Sequence, residues 1–295
     1  MTRVSIALLA AVAAPSWAQN DFSEVQIQTT ELADGIYMMV GAGGNLGLSV
    51  GEDGAFLIDD QFAPLSGKIM AAIAEVTDAD VEFLLNTHWH GDHTGGNEAF
   101  GNAGAIIVAH DNTRVRMTKE QFREIFDQTI PPSPSAALPI VTFDDEMTFH
   151  WNGETIRAFH VAPAHTDGDV ILHFENADIF HMGDNFFHGF YPFIDVDSNG
   201  DINGIIAAGY RVLSMASPNS QIIPGHGPIA TPADLQEWLQ MLRATRESMQ
   251  SLIDSGLSED EAVAARATAK FDDAYGGGFM NPENYNRLLY QSLSR

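Results

Sequence analysis

Residues 86–96 read NTHWHGDHTGG, and four side chains able to bind metal fall within six of those positions: His88, His90, Asp92 and His93. The stretch continues from VEFLLNT (81–87), an apolar, β-favouring run that predicts a strand, so the four emerge at a strand's C-terminal end. Ligands of α/β folds gather at that end. His88 and His90 alternate and can point to one side, while Asp92 and His93 follow the turn that Gly91 permits. One tetrahedral zinc does not take four donors from a single bend. Two ions sharing them, with other segments completing each shell, is the expectation; a polar surface turn is the alternative.

Further donors stand at similar places. APAHTDGD (162–169) sets His165 in a turn between two predicted strands, and HMGDN (181–185) sets Asp184 just after the strand ADIFHMG. PGHG (224–227) sets His226 just after SQIIP, between two glycines that let backbone crowd a site. Seven donors from four strand-edge loops make a binuclear site the economical reading. The chain has no cysteine, so any metal is held by His, Asp or Glu.

Outward from these loops, strands alternate with helices, and no repeat of 20–50 residues appears. GIYMMV, NLGLSV and GAFLIDD (35–60) read as adjacent strands, Gly67–Val76 as a helix, AIIVAH (105–110) as a strand, and Asp111–Phe126 as a helix. DQTIPPSPSAALP (127–139) holds four of the 13 prolines and predicts no regular element; it is a linker or a flap beside the site. EMTFHW, ETIRAFHV, DVILHF and ADIFHMG then predict strands, Ile202–Met215 a helix and SQIIP a strand. Two β-rich halves imply two similar layers facing each other. A helical C-terminal extension follows: Leu235, Trp238, Leu239, Leu242, Met249 and Leu252 form a core stripe, Ser258 and Glu261 a capping box. Asn281-Pro282 starts a last helix with Tyr285, Leu288, Leu289 and Leu293 on one face.

The ordered set HxHxDH, distant His, Asp, His resembles the metallo-β-lactamase superfamily, from the glycine-rich strands at 35–60 to GHG at 225–227. The resemblance implies a four-layer αββα sandwich, in agreement with the two-layer pattern. It implies that His88, His90 and His165 hold one metal, that Asp92, His93 and His226 hold the other, and that Asp184 bridges them. Two zinc ions so held would supply hydroxide at neutral pH to attack a carbonyl, with Asp92 orienting the water or accepting its proton. All-N/O ligands also suit iron or manganese.

The substrate is less legible. The cysteine-bearing β-lactamase subclass has Cys where this chain has Asp184, and three residues later a lysine for the substrate carboxylate where this chain has Phe187. AHTDGDVILHF still looks β-lactamase-like, whereas the complete His/Asp set is more similar to glyoxalase II, lactonases and the subclass lacking that cysteine. GDNFFHGFYPF (183–193) contains no cation. An aromatic mouth of Phe186, Phe187, Phe190, Tyr191 and Phe193 suggests an apolar or weakly charged ester, thioester, lactone or lactam; the same cluster could equally be core. His188 is a substrate contact or a surface histidine. An iron-dependent redox enzyme and a non-catalytic metal binder are the other classes, though the superfamily's di-iron oxygen sites commonly put Glu where His90 stands. DVDSNGDIN (195–203) begins like a calcium loop but has Ile206 where a bidentate Glu is required, so a turn entering the Ile202 helix is the better account.

Composition narrows the partners. The chain has 295 residues, 45% hydrophobic, with 40 Asp+Glu against 14 Lys+Arg. That balance argues against nucleic acid and against anionic membranes, and leaves a small-molecule substrate. MTRVSIALLAAVAAPSWAQN has one cation, Arg3, an apolar run Val4–Ala14, and small residues Ser16 and Ala18, which predicts a secretory signal over 1–18 and one hydrolase domain over 19–295. The expected location is outside the cytoplasm, in the periplasm of a two-membrane cell.

Overall fold

A computed structural model describes residues 21–161 and 163–295; the predicted signal segment lies outside the described residues. The first half runs β1 (Gln28–Ala33), β2 (Ile36–Val40), β3 (Leu46–Gly51), β4 (Gly54–Ile58), α1 (Ser66–Ala74), β5 (Val81–Leu85), α2 (Gly91–Thr94), α3 (Asn97–Ala103), β6 (Ile106–His110), α4 (Asp111–Met117), β7 (Gln121–Arg123), β8 (Gln128–Ile130) and β9 (Val141–Phe143). The second runs β10 (Glu146–Trp151), β11 (Glu154–His160), β12 (Val170–Phe174), β13 (Ile179–His181), α5 (Ile202–Met215), β14 (Gln221–Ile223), α6 (Pro232–Asp254), α7 (Glu259–Ala265), α8 (Asp272–Tyr275) and α9 (Pro282–Leu293).

One sheet has the order β1-β2-β3-β4-β5-β6-β9, antiparallel from β1 to β4 and parallel from β4 to β9. The other is β10-β11-β12-β13-β14, antiparallel except for the parallel pair β13–β14. Alternation along the strands explains why the sheets stack. Met38, Phe56, Ile58 and Leu85 of the first face Ile156, Ala158, Leu172 and Ile223 of the second. Phe56 meets Phe149 edge-on at 4.9 Å. The opposite face of the first sheet, with Met39, Leu46 and Leu57, is covered by Ile69 and Ile73 of α1 and Phe100 of α3. The outer face of the second, with Phe159, Ile171 and Phe180, is covered by Ile205 and Val212 of α5 and by Leu235, Trp238 and Leu239 of α6. Helix, sheet, sheet, helix: the αββα sandwich is present. Each fully buried Leu, Ile or Phe in it contributes roughly 1.5–3 kcal/mol.

Two expectations need correction. The helix predicted over 111–126 ends at Met117. Arg116 is drawn off by a two-pronged pair with Asp167, and Gln121 caps the Arg116 carbonyl. The chain then forms the β7–β8 hairpin, which carries Arg123 and Phe126. The segment 127–139 is accordingly not irregular throughout, because Gln128–Ile130 is strand and Ser135–Ala137 a 3-10 turn. Its end is tied down where Asn97 donates to the Ala137 carbonyl at 2.8 Å. The exposed edge strand β1, QTTELA, was not read from the sequence, since its polar alternation carries little hydrophobic signal.

Candidate metal centre

The donors collect at one end of the sandwich, where the C-terminal ends of β5, β13 and β14 meet. β5 delivers His88 and His90. His90 is the N-cap of α2, and one turn of α2 places Asp92 and His93. The turn between β11 and β12 delivers His165, held by a loop in which Asp169 accepts from Thr166 N (2.9 Å) and Thr166 Oγ1 (2.6 Å). A 3-10 turn after β13 delivers Asp184, and the turn after β14 delivers His226. Asn45 braces that last turn by donating to the carbonyls of Pro224 (2.9 Å) and Gly227 (2.8 Å).

Two donor groups result: His88, His90, His165 and Asp184; and Asp92, His93 and His226. Asp184 touches both. Its Oδ2 lies 3.4 Å from His165 Nε2 and 3.8 Å from His88 Nε2. Its Oδ1 lies 3.1 Å from His93 Nε2 and 3.4 Å from His226 Nε2. Asp92 Oδ2 is 3.3 Å from His226 Nε2. All seven donors picked out in the sequence are therefore brought together.

Outer partners decide which ring nitrogens face inward. His90 Nε2 donates to Asp195 at 2.8 Å, His165 Nδ1 to the Phe193 carbonyl at 2.8 Å, and His93 Nδ1 to Asp59 at 2.7 Å. Thr87 gives its hydroxyl proton to Asp59 (2.7 Å), so His88 Nδ1 donates to Thr87 Oγ1 at 3.0 Å. Each of these four rings thereby has an outward nitrogen tied to a partner outside the donor cluster. Inward, His90 Nδ1 stands 3.1 Å from His88 Nε2 and 2.9 Å from His165 Nε2, three lone pairs crowded together. Such crowding of lone pairs is what a cation relieves. His93 Nε2 and Asp184 Oδ1 are also buried without hydrogen-bonding geometry to any partner. The residues fit a divalent metal ion.

Electrostatics agrees with that division. Burial keeps His88 well below the usual imidazole range and brings His90 to about 4 although Asp195 opposes it, so both rings are neutral near pH 7. Burial also works against protonation of His226, but Asp184 and Asp92 outweigh it and raise that ring to about 9. Asp184 is itself held well below the carboxylate range against the cost of burial, chiefly by His93 and His226.

A cavity of about 1170 Å³ opens over the donors, lined in part by Asp92, Asp184 and His226. Phe187, Phe190, Tyr191 and Phe193 line it as well; Phe186 is instead core, packed on Trp238. Phe187 stacks on His226 with rings 5.2 Å apart, and so props a donor. The Tyr191 hydroxyl is engaged by Asp272 (2.9 Å) and the Thr268 carbonyl, leaving only its ring to the cavity. His188 does not line the cavity; its Nδ1 donates to the Pro228 carbonyl at 2.9 Å, so the substrate contact read for it is not seen.

Sequence reasoning passed over Asp59, Asn45 and Asp195. Asp59 and Asp60 close GAFLIDD, and that run of two acids after a buried strand was the available signal. DVDSNGDIN is a turn, as read: Asp195 caps Ser198 and Asp201 caps α5. Its bond to His90 spans 105 positions and has no local trace.

A family model for the metallo-beta-lactamase superfamily matches residues 41–244. The chain is similar to an atrochrysone carboxyl ACP thioesterase of Aspergillus chevalieri, 28% identical over 63% of this chain and 52% of that protein. It is also similar to a hydroxyacylglutathione hydrolase of Pelagibacter ubique, 25% identical over 42% of this chain and 44% of that one. The chain spans about half the length of the curated relatives it matches. Among solved structures, a metallo-beta-lactamase from Pontibacter korlensis superposes with a TM-score of 0.59 at 19% identity, over 74% of this chain and 99% of that one, a likeness of fold.

Proposed function

Because this chain belongs to the metallo-beta-lactamase superfamily, we propose that it is a hydrolase using two divalent metal ions on the carbonyl of a small-molecule ester, thioester, lactone or lactam. Zinc is the first choice, with iron or manganese as alternatives. The observation that carries the reading is the position of Asp184, whose two oxygens face separate histidine sets. His88, His90 and His165 would hold one ion, Asp92, His93 and His226 the other, and Asp184 both. When bound, such ions would lower the pKa of a coordinated water towards ~7 and polarise the carbonyl oxygen.

The chain's own groups supply the rest. Of the two donor acids that line the cavity, Asp92 is the more open, its side chain 26% exposed against 5% for Asp184, so its Oδ2 is placed to orient the water and accept its proton. Asp195 and Asp59 take the outward protons of His90 and His93 and so turn the other ring nitrogen of each towards the centre. The aromatic wall takes an apolar body and shields the reacting carbonyl from bulk water.

Esters and thioesters are favoured over β-lactams, because Phe187 occupies the place of the β-lactamase lysine and a relative is named a thioesterase. Export follows from the 1–18 pattern, and neither nucleic acid nor membrane is needed as partner. Among the described residues no helix is long and apolar enough to cross a membrane. The test is metal content of the purified protein, then turnover of a chromogenic cephalosporin, a thioester and a lactone, with chelator and with zinc restored. Chelator-sensitive turnover of the thioester or lactone supports the reading; a metal-loaded protein inert towards all three refutes it.

A further inference from the structure

The β7–β8 hairpin brings a cation to the cavity that the metal-binding loops lack. Arg123 lines the cavity together with Phe126, Asp127 and Gln128 of the same hairpin. Its guanidinium lies 5.4 Å from the centre of the Phe126 ring, and Nη2 donates to Gln128. Nε is buried with no hydrogen-bond partner. Asp195, Asp92 and Asp197 act on it through space, and no ion pair joins them to it among the described residues. Two of these acids are occupied elsewhere: Asp195 by His90, and Asp197 by the Glu124 amide at 2.8 Å. Asp92 faces the metal donors. The hairpin is held over the site where Phe126 packs on Phe193 (5.4 Å) and Phe279 (5.2 Å).

A desolvated guanidinium without a bound carboxylate is costly unless something charged arrives. We propose that Arg123 anchors a carboxylate at the far end of the substrate while the reacting carbonyl sits at the metal centre. The substrate is then an ester or thioester with an apolar middle against Phe190 and Phe193 and an anionic terminus against the hairpin. This rests on the proposed hydrolase function and gives a charged end to the substrate that the loop 183–193 led one to expect as apolar or weakly charged.

The experiment uses the full chain loaded with zinc and two probes, the 4-nitrophenyl monoester of adipic acid and the same ester ending in a carboxamide. The wild type should favour the carboxylate in kcat/KM by about tenfold or more, mainly through KM. Arg123→Ala and Arg123→Gln should bring that ratio close to one, and Arg123→Lys should keep part of it. No preference in the wild type, or an unchanged ratio in the variants, overturns the proposal. If neither ester is hydrolysed, the ester reading of the function fails but the anchor is still decided by calorimetry with adipate and adipamate. A preference for adipate that Arg123→Ala abolishes upholds the anchor; equal binding of the two rejects it.

Discussion

Asp59 Oδ2 accepts the Nδ1 proton of His93 at 2.7 Å, from a backbone held in the left-handed region at φ 59°. The same carboxylate takes the Thr87 amide (2.7 Å) and the Thr87 hydroxyl (2.7 Å). Thr87 in turn orients His88. One buried acid therefore points a nitrogen of each donor group inward, and a left-handed Asp is the strain accepted for reaching both.

Asp59→Asn should weaken metal binding by about 10–100-fold, because the amide keeps a hydrogen-bonding shape but loses the charge that raises ligand basicity. Chelator competition measures it. Both ions should be affected, since His88 and His93 belong to different groups. Asp195→Asn touches His90 alone and should loosen one ion in preference to the other. Equal loosening by the two variants would count against this division of labour.

Gly225 and Gly44 are predicted to be as sensitive as the donors. A Cβ at Gly225 would lie 2.1 Å from Asp184 Oδ1, and one at Gly44 would lie 2.1 Å from His93 Cε1. Neither neighbour is free to move, since each is fixed by the centre. Gly225→Ala and Gly44→Ala should cost metal affinity by about tenfold or more while far-ultraviolet dichroism keeps its wild-type shape. Variants that retain wild-type metal affinity would contradict the close approach.

The proposed sharing of Asp184 between two ions makes a stoichiometric prediction. Asp184→Ala should lower bound metal from two ions towards one or fewer, and turnover by about a hundredfold or more, since a shared ligand is worth at least as much as an outer partner. Elemental analysis at saturating zinc followed by gel filtration reads it. Two ions retained at wild-type affinity would remove Asp184 from the bridge.

The layers and the seven donors were legible because they rest on local signals: alternation in runs such as GAFLIDD, and donors placed just past strand ends. The hairpin at 121–130 was not. QFREIF carries apolar residues at spacings a helix also tolerates, and what breaks the helix is a distant pair, Arg116 with Asp167. Asp195 was hidden for the same reason, its partner His90 lying 105 residues away. The aromatic cluster was ambiguous because both readings hold, Phe186 in the core and Phe187 in the wall.

His181 supplies a pH dependence separate from the donors. It lies fully buried on β13, where Nε2 donates to the Asn45 carbonyl at 3.1 Å and Nδ1 accepts from the Gly183 amide at 3.3 Å. The ring thus bridges the two sheets in its neutral form. Burial brings its pKa down to about 4, against 6.5 for a free imidazole, with Asp59 only partly opposing. The unfolded chain takes up a proton as pH falls through 6.5, while the folded chain resists until about 4. The stability due to this residue is therefore complete above 6.5 and is lost progressively between 6.5 and 4, amounting to about 3 kcal/mol at most. Urea unfolding of the wild type and His181→Gln at pH 7.5, 5.5 and 4.5 isolates the term, because the metal donors titrate alike in both. The gap between the two proteins should change in the variant's favour as pH drops. A gap that stays constant with pH would mean that His181 titrates in the fold as it does in the unfolded chain.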